Sequence, residues 1–220
     1  MPLTSTCLCL LIREAGDGTR EVLLGHKKTG LGVNKIVGLG GHVEPGESAA
    51  EAAVREVKEE SGLCVARAAL TEAADITFLF PAHPSWDMDV AVFTCEDWSG
   101  EAAETEEIRP LWFPVSALPF DRMWDDAPRW LPRVLAGERL RATFSYAADN
   151  ETVAAESLTP LRLARAAVLR RPPEAHGFPG SQPRADQLSQ SAATRSASRS
   201  SSGPACAMDT AASGSRSARA

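Results

Sequence analysis

No Cys-x-x-Cys pair occurs in this 220-residue chain, and its five cysteines, Cys7, Cys9, Cys64, Cys95 and Cys206, are scattered and odd in number. That pattern speaks against both a zinc site and a disulfide framework. The cysteines are expected to be small apolar core residues in a reducing compartment, except Cys206, which lies in a polar tail. A long hydrophobic run is also missing. The apolar run Cys7–Ile12 is only strand-length and no basic stretch precedes it. Neither a signal peptide nor a membrane span is therefore expected, and the expected location is the cytoplasm. Lysine is scarce (Lys27, Lys28, Lys35 and Lys58), and the formal net charge is −6. Such a balance argues against a protein that coats a nucleic-acid polymer. It remains compatible with a polyphosphate ligand where metal ions supply the positive charge.

What is present suffices for one folded domain: 44% of the residues are hydrophobic. The composition changes near residue 172. Ser, Ala and Arg make up 26 of the 40 residues from Ser181 to Ala220, aromatics are absent there, and no apolar period survives. Such a segment cannot bury enough surface to offset its ordering entropy. Residues 172–220 are expected to be a disordered tail behind a domain at 1–160. Leu158–Leu169 reads as a short amphipathic helix or a fraying end, so a short C-terminal helix is assigned to 161–171. Within the domain, strands are expected at Thr6–Ile12, Glu21–Gly25, Leu63–Leu70, Ile76–Phe80, Asp89–Cys95, Leu111–Phe113 and Leu140–Tyr146. Helices are expected at Ser48–Ser61, stopped by Gly62, and at Pro128–Ala136. The fold class is α+β.

The helix at Ser48–Ser61 carries the chemistry. It is rich in Ala and Glu, with Ser48 as N-cap and Glu51 as its capping-box partner. Ala49, Ala53, Val54 and Val57 form an apolar stripe. On the other side Glu56 and Glu60 are i, i+4 neighbours, Glu59 borders the same face, and Arg55 pairs with Glu59. Three carboxylates this close repel one another, and a hard divalent cation relieves the repulsion. A Glu-rich helix face is ordinarily just solvated. Here Gly41, Glu47, Arg55, Glu56, Val57, Glu59, Glu60, Gly62 and Leu63 satisfy every fixed position of G-x5-E-x7-R-E-U-x-E-E-x-G-U, U being a bulky aliphatic. At average residue frequencies the chance of that match at one start site is roughly 10⁻⁹ to 10⁻¹⁰.

This segment is identified as a Nudix box. The resemblance implies an α/β/α sandwich around a mixed sheet, with the box as loop–helix–loop, and hydrolysis of a diphosphate joined to another moiety. It implies Mg²⁺ as cofactor, with Mn²⁺ as a substitute, held by Glu56, Glu59, Glu60 and the carbonyl of Gly40. Glu47 would brace the helix through Arg55. Beyond the box, Val22–Gly32, Met88–Phe93, Glu106–Phe113 and Pro119–Pro132 resemble the MutT-like enzymes that sanitise oxidised purine nucleotides. That resemblance adds Glu107 as a metal ligand or base. It places Thr6, Lys27, Leu31, Phe78, Met88, Trp124, Asp126 and Trp130 around the nucleotide, with Trp124 stacked on a base, Asp126 at the base edge and Lys27 near the phosphates.

Two positions depart from that family. Val37 stands where an asparagine contacts the purine, and Ala127 stands where a second carboxylate follows the one at Asp126. A valine cannot bond a base edge, so that contact is lost. His42 is read as a plain loop histidine, and His26, His83 and His176 receive no role. Trp86, Trp98 and Trp112 are read as packing. The implied reaction is cleavage of a triphosphate such as 8-oxo-dGTP or 2-hydroxy-dATP to the monophosphate and pyrophosphate. The rival substrates are ADP-ribose, nucleotide sugars and dinucleoside polyphosphates, and the rival class is a Nudix-fold binding module without turnover, against which the intact carboxylate set speaks. The expected partner is a small nucleotide, with no nucleic-acid polymer and no membrane, in a monomer or homodimer. Ending the chain after Arg171 is expected to leave nucleotide hydrolysis intact in a pyrophosphate-release assay; a large loss would give the tail a function.

Overall fold

The computed structural model describes residues 3–161. In chain order the elements are β1 (Thr4–Glu14), β2 (Arg20–Lys27), β3 (Ile36–Val37), α1 (Ala49–Ser61), β4 (Cys64–Val65), β5 (Thr71–Leu79), β6 (Met88–Cys95), β7 (Trp98–Ser99), β8 (Ile108–Pro114), α2 (Ala127–Leu135), β9 (Leu140–Tyr146) and β10 (Val153–Pro160). The main sheet runs β10-β9-β5-β6-β1-β2-β3, with β8 on β2, while β4 and β7 form a separate two-stranded pair. β1 with β6 and β5 with β9 are parallel; the other pairs are antiparallel, so the sheet is mixed.

The sequence of β1 explains the layering. Both of its faces are apolar, as expected of a central strand covered on two sides. Cys7, Cys9 and Leu11 pack with Leu23, Leu39 and the α1 residues Ala52, Ala53 and Val57. Leu10 and Ile12 turn the other way, onto Val22, Leu24 and the α2 residues Trp130, Leu131 and Val134. One helix on each face makes an α/β/α sandwich. Each fully buried Leu in these layers contributes roughly 1.5–3 kcal/mol. Burial pushes the Cys7 thiol up to about 11, as befits a core residue. No helix among the described residues is long and apolar enough to cross a membrane.

Helix α1 starts and stops as its sequence directs. The Ser48 side chain accepts from Glu51 N, the Glu51 side chain accepts from Ser48 N, and Gly62 closes the helix in the left-handed conformation at φ 76°. Two expectations are corrected. Only Cys64–Val65 of the expected strand Leu63–Leu70 is extended, because the chain then tightens into a 3₁₀ turn at Arg67–Ala69. Leu158 belongs to β10, paired with Ala142 of β9, and not to a helix. The expected helix at 161–171, the tail at 172–220 and Cys206 lie outside the described residues, apart from Leu161.

The site is made possible by a split along one edge of β1. From Leu11 to Glu14 that edge pairs with β2. Nearer its start it pairs instead with the loop that enters α1: Cys9 N donates to Leu39 O at 2.7 Å, and Cys7 N donates to Gly41 O at 2.9 Å. Gly40 sits between these bonds, where a Cβ atom would lie 2.1 Å from the carbonyl oxygen of Cys7. Backbone cannot yield as a side-chain tip can, so only glycine fits. Gly40→Ala is expected to cost about 2 kcal/mol or more. In a thermal melt this reads as a Tm roughly 4–8 °C lower; an unchanged Tm would show that the loop yields freely.

Candidate active site

Arg55 organises the carboxylate end of the site. Its guanidinium meets Glu47 at 2.7 Å, Glu56 at 2.8 Å and Glu59 at 3.0 Å, and donates to the carbonyl of His42 at 2.9 Å. Helix spacing places Glu59 one turn beyond Arg55, and the loop brings Glu47 and His42 back to it. Glu47, foremost among these partners, raises the guanidinium further above its ordinary range, and in return Arg55 lowers the Glu47 carboxyl. Glu47 also accepts from Glu44 N at 2.7 Å, which ties the loop to itself.

Glu60 is the buried member, only 4% exposed, and its Oε2 accepts from Gly40 N at 2.8 Å. Burial pushes its carboxyl up to about 7; the Gly40 N–H and the Lys27 charge pull the other way, and Glu56 and Glu107 add to the rise. Glu56 lies against the loop as well: a Cβ on Gly41 would come within 2.4 Å of its Oε1. The donors gathered here (Glu56, Glu59, Glu60, Glu107 and the Gly40 carbonyl) are all hard oxygens, the chemistry that suits a divalent cation such as Mg²⁺. A buried carboxylate beside two others gains most from such a cation. In the present arrangement Arg55 draws Glu56 and Glu59 to itself, and among the described residues no three His, Cys, Asp or Glu side chains form a ready metal cage.

A cavity of about 1110 Å³ runs from this cluster across the sheet. Glu56, Glu59, Glu60, Glu107, Arg55 and Gly40 line one end. Thr6, Lys27, Leu31, Val37, Phe78, Met88, Trp124, Asp126 and Trp130 line the rest. Of the site residues expected from the sequence, only Glu47 does not reach the cavity, and it acts on it through Arg55. Thr6 uses its hydroxyl to bond Asp89 O at 3.1 Å, and Phe78 stacks on Phe144. Lys35 Nζ lies 4.6 Å from the Trp124 ring centroid, and Gly32 also packs against that ring.

Asp126 is buried, 3% exposed, at the start of α2. Its Oδ2 accepts from Trp130 Nε1 at 2.6 Å and its Oδ1 accepts from the Tyr146 hydroxyl. Burial raises its carboxyl above the usual range, and these two donors oppose the rise. Asp125 does not replace the carboxylate missing at Ala127. It accepts from Val153 N at 2.9 Å and pairs with Arg129 at 3.1 Å, turned toward β10.

Sequence reasoning missed several lining residues, among them Phe80, Trp86, Met123 and Tyr146. Trp86, read as packing, lies in a 3₁₀ turn with Phe80 on its edge at 5.7 Å and His83 stacked at 4.1 Å. No periodicity marks a turn residue. Tyr146 was detectable, because the alternation of β9 puts Leu140, Ala142, Phe144 and Tyr146 on the buried side. Trp98 and Trp112 do pack, on each other at 5.6 Å, away from the cavity.

Residues 2–134 match the NUDIX domain family model. The oxidized purine nucleoside triphosphate hydrolase of Danio rerio is 42% identical over 126 residues, 57% of this chain and 79% of that relative. Its counterpart in Mus musculus is 37% identical over 139 residues, 63% of this chain and 86% of that relative. Among solved structures, the MutT protein of Bacillus halodurans superposes with a TM-score of 0.58 at 20% identity, over 71% of this chain and 97% of that one, a likeness of fold. The matched span holds the glycine loop, the carboxylates of α1 and most of the sheet beneath the cavity, and by it this chain belongs to the Nudix hydrolase family.

Proposed function

We propose that this Nudix hydrolase cleaves a purine nucleoside triphosphate, with an oxidised base as in 8-oxo-dGTP or 2-hydroxy-dATP, to the monophosphate and pyrophosphate with Mg²⁺. One observation carries the proposal: a single cavity is lined at one end by Glu56, Glu59, Glu60 and Glu107 and at the other by Trp124, Asp126 and Trp130. A nucleotide has the same two-ended chemistry, polyanion and flat base. The names of the two curated relatives point to the same substrate class.

Family members use a divalent metal. When bound here by Glu56, Glu59, Glu60, Glu107 and the Gly40 carbonyl, Mg²⁺ would neutralise phosphate oxygens and acidify a water. The chain's own groups do the rest. Arg55, which keeps its proton at any working pH, fixes the orientation of Glu56 and Glu59 and locks Glu47 against the loop. Lys27 lies beside the carboxylates as the cation that meets phosphate. Water attacks phosphorus, the anhydride P–O bond breaks with pyrophosphate leaving, and a carboxylate of the cluster takes the proton released by the water. The aromatic end holds the base and excludes water from it.

Glu56→Gln is expected to fold normally and to lose hydrolysis by roughly 10²-fold or more, read as pyrophosphate release from a panel of nucleotides with Mg²⁺. Retained activity would refute its role as a ligand, and no turnover of any diphosphate compound by the native chain would refute the enzyme itself. Glu60 gives a pH signature. Its carboxyl ionises near 4.5 in the unfolded chain and near 7 in the metal-free fold, so the fold holds the proton more tightly. Its contribution is complete below 4.5 and is lost as pH rises to 7, a loss of roughly 3 kcal/mol. The melting temperature of chelator-treated protein should fall across that window. Mg²⁺ or Glu60→Gln should flatten the fall, and a flat native profile would contradict the assignment.

A further inference from the structure

The Tyr146 hydroxyl is a polar group at the base end with no part in the chemistry above. Its ring is stacked on Phe80 at 4.5 Å and set edge-on to Trp124 at 5.8 Å, and the residue is 2% exposed. From β9 the hydroxyl reaches the Asp126 carboxylate, 20 residues earlier in the chain. Asp126 stands at the N-cap position of α2, where an aspartate normally bonds the helix N–H groups, yet it makes no capping bond. It points inward, and both it and Tyr146 line the cavity.

The directions of the two bonds define what Asp126 can offer a ligand. An indole N–H only donates, so Oδ2 must accept. The hydroxyl of Tyr146 donates to Oδ1. Two donors on one carboxylate favour its anionic form, in which the remaining lone pairs can only accept. Burial favours the protonated form, and among the groups that oppose it the Tyr146 hydroxyl is foremost. Val37 and Ala127 on the same cavity wall bring no polar side-chain atom, and Asp125 is turned to Val153 and Arg129. Asp126 is therefore the one buried carboxylate beside the aromatic end of the cavity, among the described residues.

An acceptor in a dry pocket favours a base edge that donates N–H and penalises one that presents a lone pair, because the mismatch leaves both acceptors unpaired. The pairing edge of guanine donates from N1 and the 2-amino group. Adenine in its 2-oxo form donates from N1 and the 6-amino group. Unmodified adenine presents the N1 lone pair. We propose that Tyr146 is a specificity-determining residue, whose hydroxyl holds Asp126 as a pure acceptor and so selects purines with two adjacent N–H donors over adenine. The assignment rests on the nucleotide reading of the same cavity.

Tyr146→Phe removes the hydroxyl and keeps the ring that stacks on Phe80. Freed of that donor, the buried carboxyl can take a proton and donate to the N1 of adenine. The kcat/KM for 8-oxo-dGTP relative to dATP, expected to be about tenfold or more in the native enzyme, is expected to fall about tenfold in the variant. A structural defect alone would lower both substrates together and leave the ratio unchanged, which would overturn the assignment. An unselective native enzyme would overturn it too. Should Tyr146→Phe not fold, Trp130→Phe removes the other donor to the same carboxylate; the ratio must again fall, and a constant ratio would overturn the assignment. Equilibrium binding of 8-oxo-dGMP and dAMP, followed by tryptophan fluorescence in metal-free protein, must shift in the same sense. Native protein that hydrolyses no nucleoside triphosphate would overturn the proposed function and this assignment with it; native turnover with an unchanged ratio in the variants would overturn this assignment alone.

Discussion

The guanidinium of Arg55 ties together parts of the site that have no other reason to stay in place. It bonds the loop before α1 at Glu47 and at the His42 carbonyl, and it bonds the helix itself at Glu56 and Glu59. Without it, four carboxylates would face one another along a loop–helix junction, and like charges at helix spacing repel. Arg55 is only partly exposed, so these contacts are worth more than surface ion pairs, whose net contribution is about 0–1 kcal/mol. A lysine there could neutralise one charge but could not span three carboxylates with a planar fork. The loop it clasps is in turn stitched to β1 through Cys7 and Cys9, and that stitch depends on the missing side chain of Gly40. The geometry of the carboxylate cluster is thus set by one cation on α1 and one absent Cβ in the loop stitched to the central strand of the sheet.

The other end of the cavity is assembled from segments far apart in sequence. The residue after β5, the turn before β6, the segment leading into α2 and the end of β9 supply Phe80, Trp86, Trp124 and Tyr146. The parallel pairing of β5 with β9 and the antiparallel pairing of β5 with β6 bring them side by side. The edge-to-face and stacked contacts among Phe80, Trp86, Trp124 and Tyr146 add roughly 0.5–1.5 kcal/mol each beyond area burial.

The carboxylate end was legible in the sequence because its parts are local. Arg55, Glu56, Glu59 and Glu60 lie within six residues of one capped helix, so spacing alone predicts their proximity, whereas Glu47 and the distant Glu107 came from the family resemblance. Strand β9 and the helix at Pro128–Ala136 were equally local in their signals, alternation in one and amphipathic spacing in the other. The failures have the opposite character. Leu63–Leu70 looks apolar enough for a strand, but only two of its residues find a partner, the short β7, and the rest turns back. Leu158 follows an apolar period, yet β9 offers an open edge, and pairing with it satisfies backbone groups that a short terminal helix would leave exposed. Trp86 was read as packing because nothing local distinguishes a tryptophan that lines a cavity from one that fills a core.

Asp126 departs from its local rule. A helix start invites aspartate to cap, and this one instead turns into the protein to meet Trp130 and Tyr146. Burying a carboxylate costs more than a cap returns, so the arrangement persists only because two donors hold it. With no polar side-chain atom from Val37 or Ala127 in the cavity, that buried carboxylate is the contact on which the proposed base selection rests. On that proposal, stacking on Trp124 would accept any flat base and the buried acceptor would not. The proposed hydrolytic machinery and the proposed base selection are thus separable in this chain, one on α1 and its loop, the other in a contact between the start of α2 and the end of β9.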